Sequence, residues 1–203
     1  CLLSRGLGDV YKRQGAFELH LYVLRRQGNR FKYNAKFPSE QKSKAFWFES
    51  QVIDSMLRTF LSGVTIWTAV EAVMLWAYAN GYAPWLSFAE RPWTLALVAL
   101  AVPIIHEVHF FCVHRLIHTP WLYKWVHSVH HNSVNPSPWS SLAMHPVEHL
   151  LYFGTAFWHL ILPSNPIIMI YQMNFAGFGA IPGHVGFDKI AVSYTHLRAH
   201  ETR

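Results

Sequence analysis

"EVHFFCVHRLIHTPWLYKWVHSVHHNSVNPSPWSSLAMHPVEH", residues 107–149, sets its histidines three and four apart, directly after a stretch apolar enough to sit in a bilayer. That spacing follows a helix. His114 and His118 are i and i+4, and His127, His130 and His131 are i, i+3 and i+4, so each set projects from one helix face toward one point. Between them "HTPWLYKW" contains the breaker Pro120 and is long enough for the chain to turn, which lets the second set face the first. Converging neutral imidazoles suit iron, copper or zinc and suit magnesium or calcium poorly. A lone histidine beside Trp and Tyr at a membrane surface ordinarily snorkels, but five within residues 114–131 in two helically phased sets do not fit that reading.

The surroundings of the cluster decide the class. The chain has 203 residues, 52% of them hydrophobic, with nine Trp and fourteen Phe, which is too apolar for an ordinary soluble surface. Residues 59–79 and 93–111 are each near the length of about 20 that a spanning helix requires. Two cysteines, Cys1 and Cys112, make neither a disulfide framework nor a thiolate metal site, so metal must be held by nitrogen and oxygen. The excess of positive charge, +6, lies mostly before residue 60 and reads as facing a cytoplasmic leaflet rather than nucleic acid. Lys32, Lys36, Lys42 and Lys44 precede the first span, and the loop joining the spans carries one Arg. The positive-inside bias therefore places the histidines on the cytoplasmic side. Two further apolar runs, 150–162 and 166–181, are broken by "PSNP" and are short for full spans, which predicts a re-entrant or interfacial hairpin or a pair of short helices. The expected fold is all-α: an integral-membrane helical bundle with a histidine-cluster metal site at its cytoplasmic face.

Individual side chains are placed by phase. Glu107 lies within about 20° of His114 and His118 if the helix runs unbroken to Thr119, so it faces the cluster. His106 lies off that face and His109 points nearly opposite, which makes both packing histidines. Glu71, inside the first span near Trp67 and Trp76, reads as a bundle-facing carboxylate bonded to a neighbour, with a proton relay as the alternative.

Rival motifs are tested by spacing. "HEVH" at 106–109 is one residue short of H-E-x-x-H and fails. "HPVEH" at 145–149 matches the inverted zinc-hydrolase pattern, in which Glu148 would be the base between ligands His145 and His149. That leaves a membrane zinc hydrolase as an alternative. A bis-imidazole haem would need two separated axial histidines and leaves the rest of the cluster unused. A metal transporter would repeat ionisable residues along its spans, and a non-catalytic metal-binding scaffold would hold zinc without turnover.

The ordered boxes resemble the fatty acid hydroxylase and sterol desaturase superfamily of membrane di-iron oxygenases. The family's acid and F-Y-W-x-H-R-x-x-H element is similar to Glu107 through His118, with Phe110, Phe111, Cys112, His114, Arg115 and His118; its H-x-x-H-H element is matched by His127, His130 and His131. "NPSPWSSLAMHP" resembles the next elements and brings in His145, and the later H-x-G-[YF] element resembles His184, Gly186 and Phe187. The departures are Glu107 for Asp, Cys112 for Trp, and a final H-x-x-H-H box that is missing, without which the chain as given is not expected to be active. The resemblance implies two iron ions, which zinc can replace, with His114, His118, His127, His130, His131, His145 and His184 as metal ligands and no catalytic residue separate from them. It implies Glu107 and Asn135 as hydrogen-bond partners of the ligands. It also implies hydroxylation or desaturation of a sterol or fatty acyl lipid by O₂.

Trp139, Phe153, Trp158 and Phe175 are candidate walls of a lipid pocket. Electrons are expected from a separate cytoplasmic haem or iron–sulfur carrier, because the chain holds no dinucleotide fingerprint and no haem-attachment motif. The expected location is a bacterial inner membrane or the endoplasmic reticulum, multi-pass. Residues 1–14 and 193–203 lack the character of the middle and resemble adapter-derived peptides, which assigns 15–58 to a polar basic segment and 59–192 to an incomplete hydroxylase-like domain. His196 and His200 then belong to the foreign tail, and the native protein is expected to continue beyond residue 192.

Overall fold

A computed structural model describes residues 8, 12–38 and 42–189. Cys1, His196, His200 and most of both proposed foreign ends lie outside those residues. The described chain is helical, and its only β-type pairings are isolated bridges such as Trp85 with Ser164. We number the helices α1 (12–23), α2 (Gln51–Ala79), α3 (Pro92–Ile117), α4 (120–131), α5 (Pro146–Phe153) and α6 (Pro166–His184). Local chemistry sets their starts. Ser50 Oγ accepts the amide of Ile53 ahead of α2, and Asn165 Oδ1 accepts that of Ile167 ahead of α6. Proline occupies the first turn of α3, α5 and α6, where its missing N–H costs no hydrogen bond.

Helix α2 begins at Gln51, ahead of the apolar run at 59 from which a first span is predicted. Its extra turns are amphipathic. Gln51, Ser55 and Thr59, four apart, are fully buried beneath residues 135–142. Gln51 Nε2 donates to Asn135 O at 2.6 Å and Thr59 Oγ1 to Trp139 O at 3.4 Å. A polar face hides this part of the helix from any hydropathy reading.

Helices α2 and α3 are long and apolar enough to cross a membrane. On α3 the residues Trp93, Leu97, Leu100, Ile104, Val108 and Phe111 form one exposed stripe, while Leu95, Val102 and His106 on the other side are buried. The apolar surface left bare is the surface that lipid solvates.

Helix α5, a 3₁₀ segment (Gly154–Leu160) and α6 form a hairpin. Its tip bonds to the loop at the far end of α2 and α3: Leu86 N donates to Ser164 O at 2.7 Å and Ser164 N to Pro84 O at 3.2 Å. Its two ends lie beside the histidines. The hairpin therefore runs along the α2–α3 pair from the histidine end to the far loop, as two helices joined by a 3₁₀ segment. The core between these helices contains Trp67, Met74, Trp139, Phe153, Met169 and Met173. Trp139 and Phe153 thus pack in the core, against Phe60 and Trp67, rather than lining a lipid pocket. Glu71 is buried inside it and accepts Trp67 Nε1–H at 2.9 Å, a partner one turn back on its own helix where one on a neighbouring helix was expected.

Candidate metal centre

Helix α3 is continuous through Glu107 to Ile117, with His118 as its C-cap, and carries His114 and His118 on adjoining turns. After Thr119 the chain reverses into α4, which is wound unevenly. An α-turn (Pro120–Leu122) leads into a wider π-turn (Tyr123–His127) and then an α-turn (Ser128–His131). This winding brings His127 against α3. One ligating atom each from His114, His118 and His127 lies within 4.8 Å of the others, a group able to hold a metal ion. His118 Nε2 is 3.1 Å from His114 Nε2, and His131 Nε2 is 3.0 Å from His127 Nε2.

The second box does not aim at a single point. His130 turns away from the triad and meets His184 at the end of α6, Nε2 to Nε2 at 3.0 Å. The His184 Nδ1–H donates to Ala180 O at 2.7 Å, so its Nε2 carries a lone pair toward His130. The result is a compact cluster with two lobes, His114, His118, His127 and His131 in one, His130 and His184 in the other. Ring centroids of His127 and His130 are 5.6 Å apart across the boundary.

The electrostatics favour uncharged ligands. Burial, then the neighbouring histidines His131, His114, His118 and His184, push the pKa of His127 down to about 3. Burial and His184, His127 and His131 likewise hold His130 well below the usual histidine range. Neutral imidazoles keep the lone pair a metal needs, so the donor set fits a borderline transition metal.

The remaining expected site residues are placed differently. Asn135 is fully buried, and neither polar atom of its side chain has a hydrogen-bond partner among the described residues. Glu107 is exposed, close enough to Tyr152 for its charge to act there. His145 begins α5, where its Nδ1 accepts the Val147 amide at 3.2 Å; burial and then Arg58 lower its pKa. His106 packs against Phe110, Tyr152 and Phe175, and His109 donates from Nε2 to Leu151 O at 2.8 Å while its Nδ1 accepts Trp158 Nε1–H at 3.3 Å. Trp158 is thereby tied to His109.

The "HPVEH" stretch divides its members among separate partners. His149 Nε2–H donates to Leu142 O at 3.0 Å and its Nδ1 faces Ser62 Oγ at 3.1 Å, while Glu148 Oε1 meets His127 Nδ1 at 2.8 Å. A zinc hydrolase would need His145 and His149 turned to one metal with Glu148 beside its water. This geometry corrects that alternative.

The basic N-terminal segment contributes Tyr22, which no motif announced. Its hydroxyl lies 2.6 Å from Pro136 O and 2.8 Å from Val185 O. It ties the chain after His131 to the chain after His184. Gly186, at φ +75°, has no room for a side chain, since a β-carbon would fall 2.3 Å from the Tyr22 hydroxyl and 2.5 Å from Pro136 O.

Fold and cluster together define a helical membrane protein with a polyhistidine site suited to metal. A family model described as fatty acid hydroxylase matches residues 97–202, and the chain belongs to that family. The relatives it resembles include a Delta(7)-sterol 5(6)-desaturase of Gibberella zeae, 37% identical over 29% of this chain and 19% of that one. A methylsterol monooxygenase of Arabidopsis thaliana is 47% identical over 26% of this chain and 19% of its own. A very-long-chain aldehyde decarbonylase of Oryza sativa is 43% identical over 26% and 20%. These matches span about a fifth of the relatives' length. No solved structure matches the chain.

Proposed function

We propose that this chain carries part of a membrane di-iron centre that hydroxylates or desaturates a sterol or fatty acyl lipid with O₂. The observation that carries the reading is the two-lobed cluster, with three ligating atoms within 4.8 Å in one lobe and the His130–His184 pair in the other. His114, His118, His127 and His131 would hold one ion, and His130 and His184 would begin the coordination of a second. Bound iron would activate O₂ against an unactivated C–H bond with electrons delivered by a separate carrier, and imidazole ligands tolerate both ferrous and ferric states. The chain's own residues keep His127 and His130 neutral by burial and support the lobes through Tyr22. The names of the relatives, a sterol desaturase, a methylsterol monooxygenase and a very-long-chain aldehyde decarbonylase, favour a lipid substrate. The orientation proposed is cytoplasmic, from the basic segment before α2 and from Arg115 and Lys124 beyond the apolar part of α3. A cytoplasmic electron carrier could then reach the site.

Metal analysis of the intact protein tests this reading. About two irons per chain with O₂-dependent oxidation of sterol or acyl lipid is the expected result. One tightly held zinc without turnover would overturn it.

A further inference from the structure

We propose that Glu148 is a positioning residue of the metal centre, holding the His127 ring with its proton on Nδ1 and its Nε2 lone pair turned into the cluster. The inference rests on the metal-binding reading above and adds a residue to it. Glu148 Oε1 is 2.8 Å from His127 Nδ1, and the two side chains are 4% and 1% exposed. The opposite nitrogen of that ring is the one that faces His131 at 3.0 Å. A neutral imidazole can carry its proton on either nitrogen, and only one arrangement leaves Nε2 free to ligate. A carboxylate at Nδ1 selects that arrangement, fixes the ring plane and makes Nε2 more basic.

The fold supplies a reason for the acid to stand there. Glu148 lies in the first turn of α5, where negative charge is ordinarily favourable, yet it is buried rather than solvated. The neighbouring His149 fixes that turn, bonded to Leu142 O on one side and facing Ser62 of α2 on the other. Glu148 is thus delivered to His127 by a rigid element. Its second oxygen, Oε2, is buried with no hydrogen-bond partner among the described residues.

Cobalt(II) titration of the intact protein in detergent, read by the ligand-field spectrum and by competition with a chelator, tests this without turnover. Glu148→Ala is expected to weaken cobalt binding about 10- to 100-fold and to shift the visible bands. Glu148→Gln, which keeps an acceptor oxygen but no charge, should fall between Ala and wild type, with helicity unchanged. In a His127→Ala background, Glu148→Ala should add little. Wild-type cobalt binding that neither Glu148 variant moves would overturn the inference and leave the metal reading standing. An equal loss with and without His127 would also overturn it, since the effect would then not pass through that ring. Absence of any cobalt binding by the wild type would overturn both.

Discussion

Gly177 of α6 lies under the indole of Trp67 on α2, so close that a β-carbon there would fall 2.2 Å from the ring. Trp67 cannot yield easily, because it is 2% exposed and donates from Nε1 to Glu71. Small residues of this kind set the distance between membrane helices. Gly177→Ala should therefore force the helices apart and destabilise the bundle by about 1–3 kcal/mol. Thermal unfolding in detergent measures it, and an unchanged midpoint would contradict the close contact.

The two lobes should fail separately. His127→Ala removes a member of the triad and is expected to abolish iron binding there, whereas His184→Ala should cost one metal per chain and spare the other. His130→Ala should resemble His184→Ala, and His131→Ala should resemble His127→Ala. Metal stoichiometry decides; full retention in all four would refute the assignment.

His109 serves packing, since both its ring nitrogens are engaged by Leu151 and Trp158. Replacement by Ala should leave metal content near normal and lower stability by about 1 kcal/mol. A metal loss as deep as that of His114→Ala would show that the two residues share a face.

Glu18 of α1 gives a pH dependence remote from the metal. Burial raises its pKa to about 7 from an ordinary 4.5, and the buried Oε2 has no partner among the described residues. The protonated form is the one the fold prefers. Its contribution is fully present below about 4.5 and is lost as pH rises through about 7. At pH 8, Glu18→Gln should thus stabilise the docked N-terminal segment, by about 3 kcal/mol at most, and at pH 4.5 it should do almost nothing. Limited proteolysis across residues 24–38 reports the difference.

Topology is tested by labelling. With Cys1 and Cys112 replaced, a cysteine at Ser133 should be shielded from a membrane-impermeant thiol reagent in intact cells, and one at Ser87 should react. Labelling at Ser133 from outside would reverse the orientation and the proposed side of electron entry.

The sequence made the helical class legible because the histidine spacing and the apolar runs share one period, and α3 runs unbroken as that period requires. His184 was found through a motif, not through periodicity, because its partner His130 is far away in the chain. Three features were illegible for physical reasons. The start of α2 is polar because Gln51 and Thr59 bond to the backbone carbonyls of Asn135 and Trp139, with Ser55 buried between them. Tyr22 acts through its hydroxyl on two carbonyls, an interaction without a spacing. Glu148 sat in view within "HPVEH", but its partner lies in another box, and the local pattern suggested the wrong chemistry.

The wide turn at Tyr123–His127 amounts to one residue more than an α-helix would use. Wound as a regular α-helix with no residue removed, the same segment would swing its downstream residues by about 100° against those upstream. Every histidine would still be present, in the same order and with the same neighbours, and His127 would no longer meet α3. The winding of this interval is thus as much a determinant of the centre as the boxes themselves, and a sequence one residue shorter here would reach the same arrangement through a regular helix.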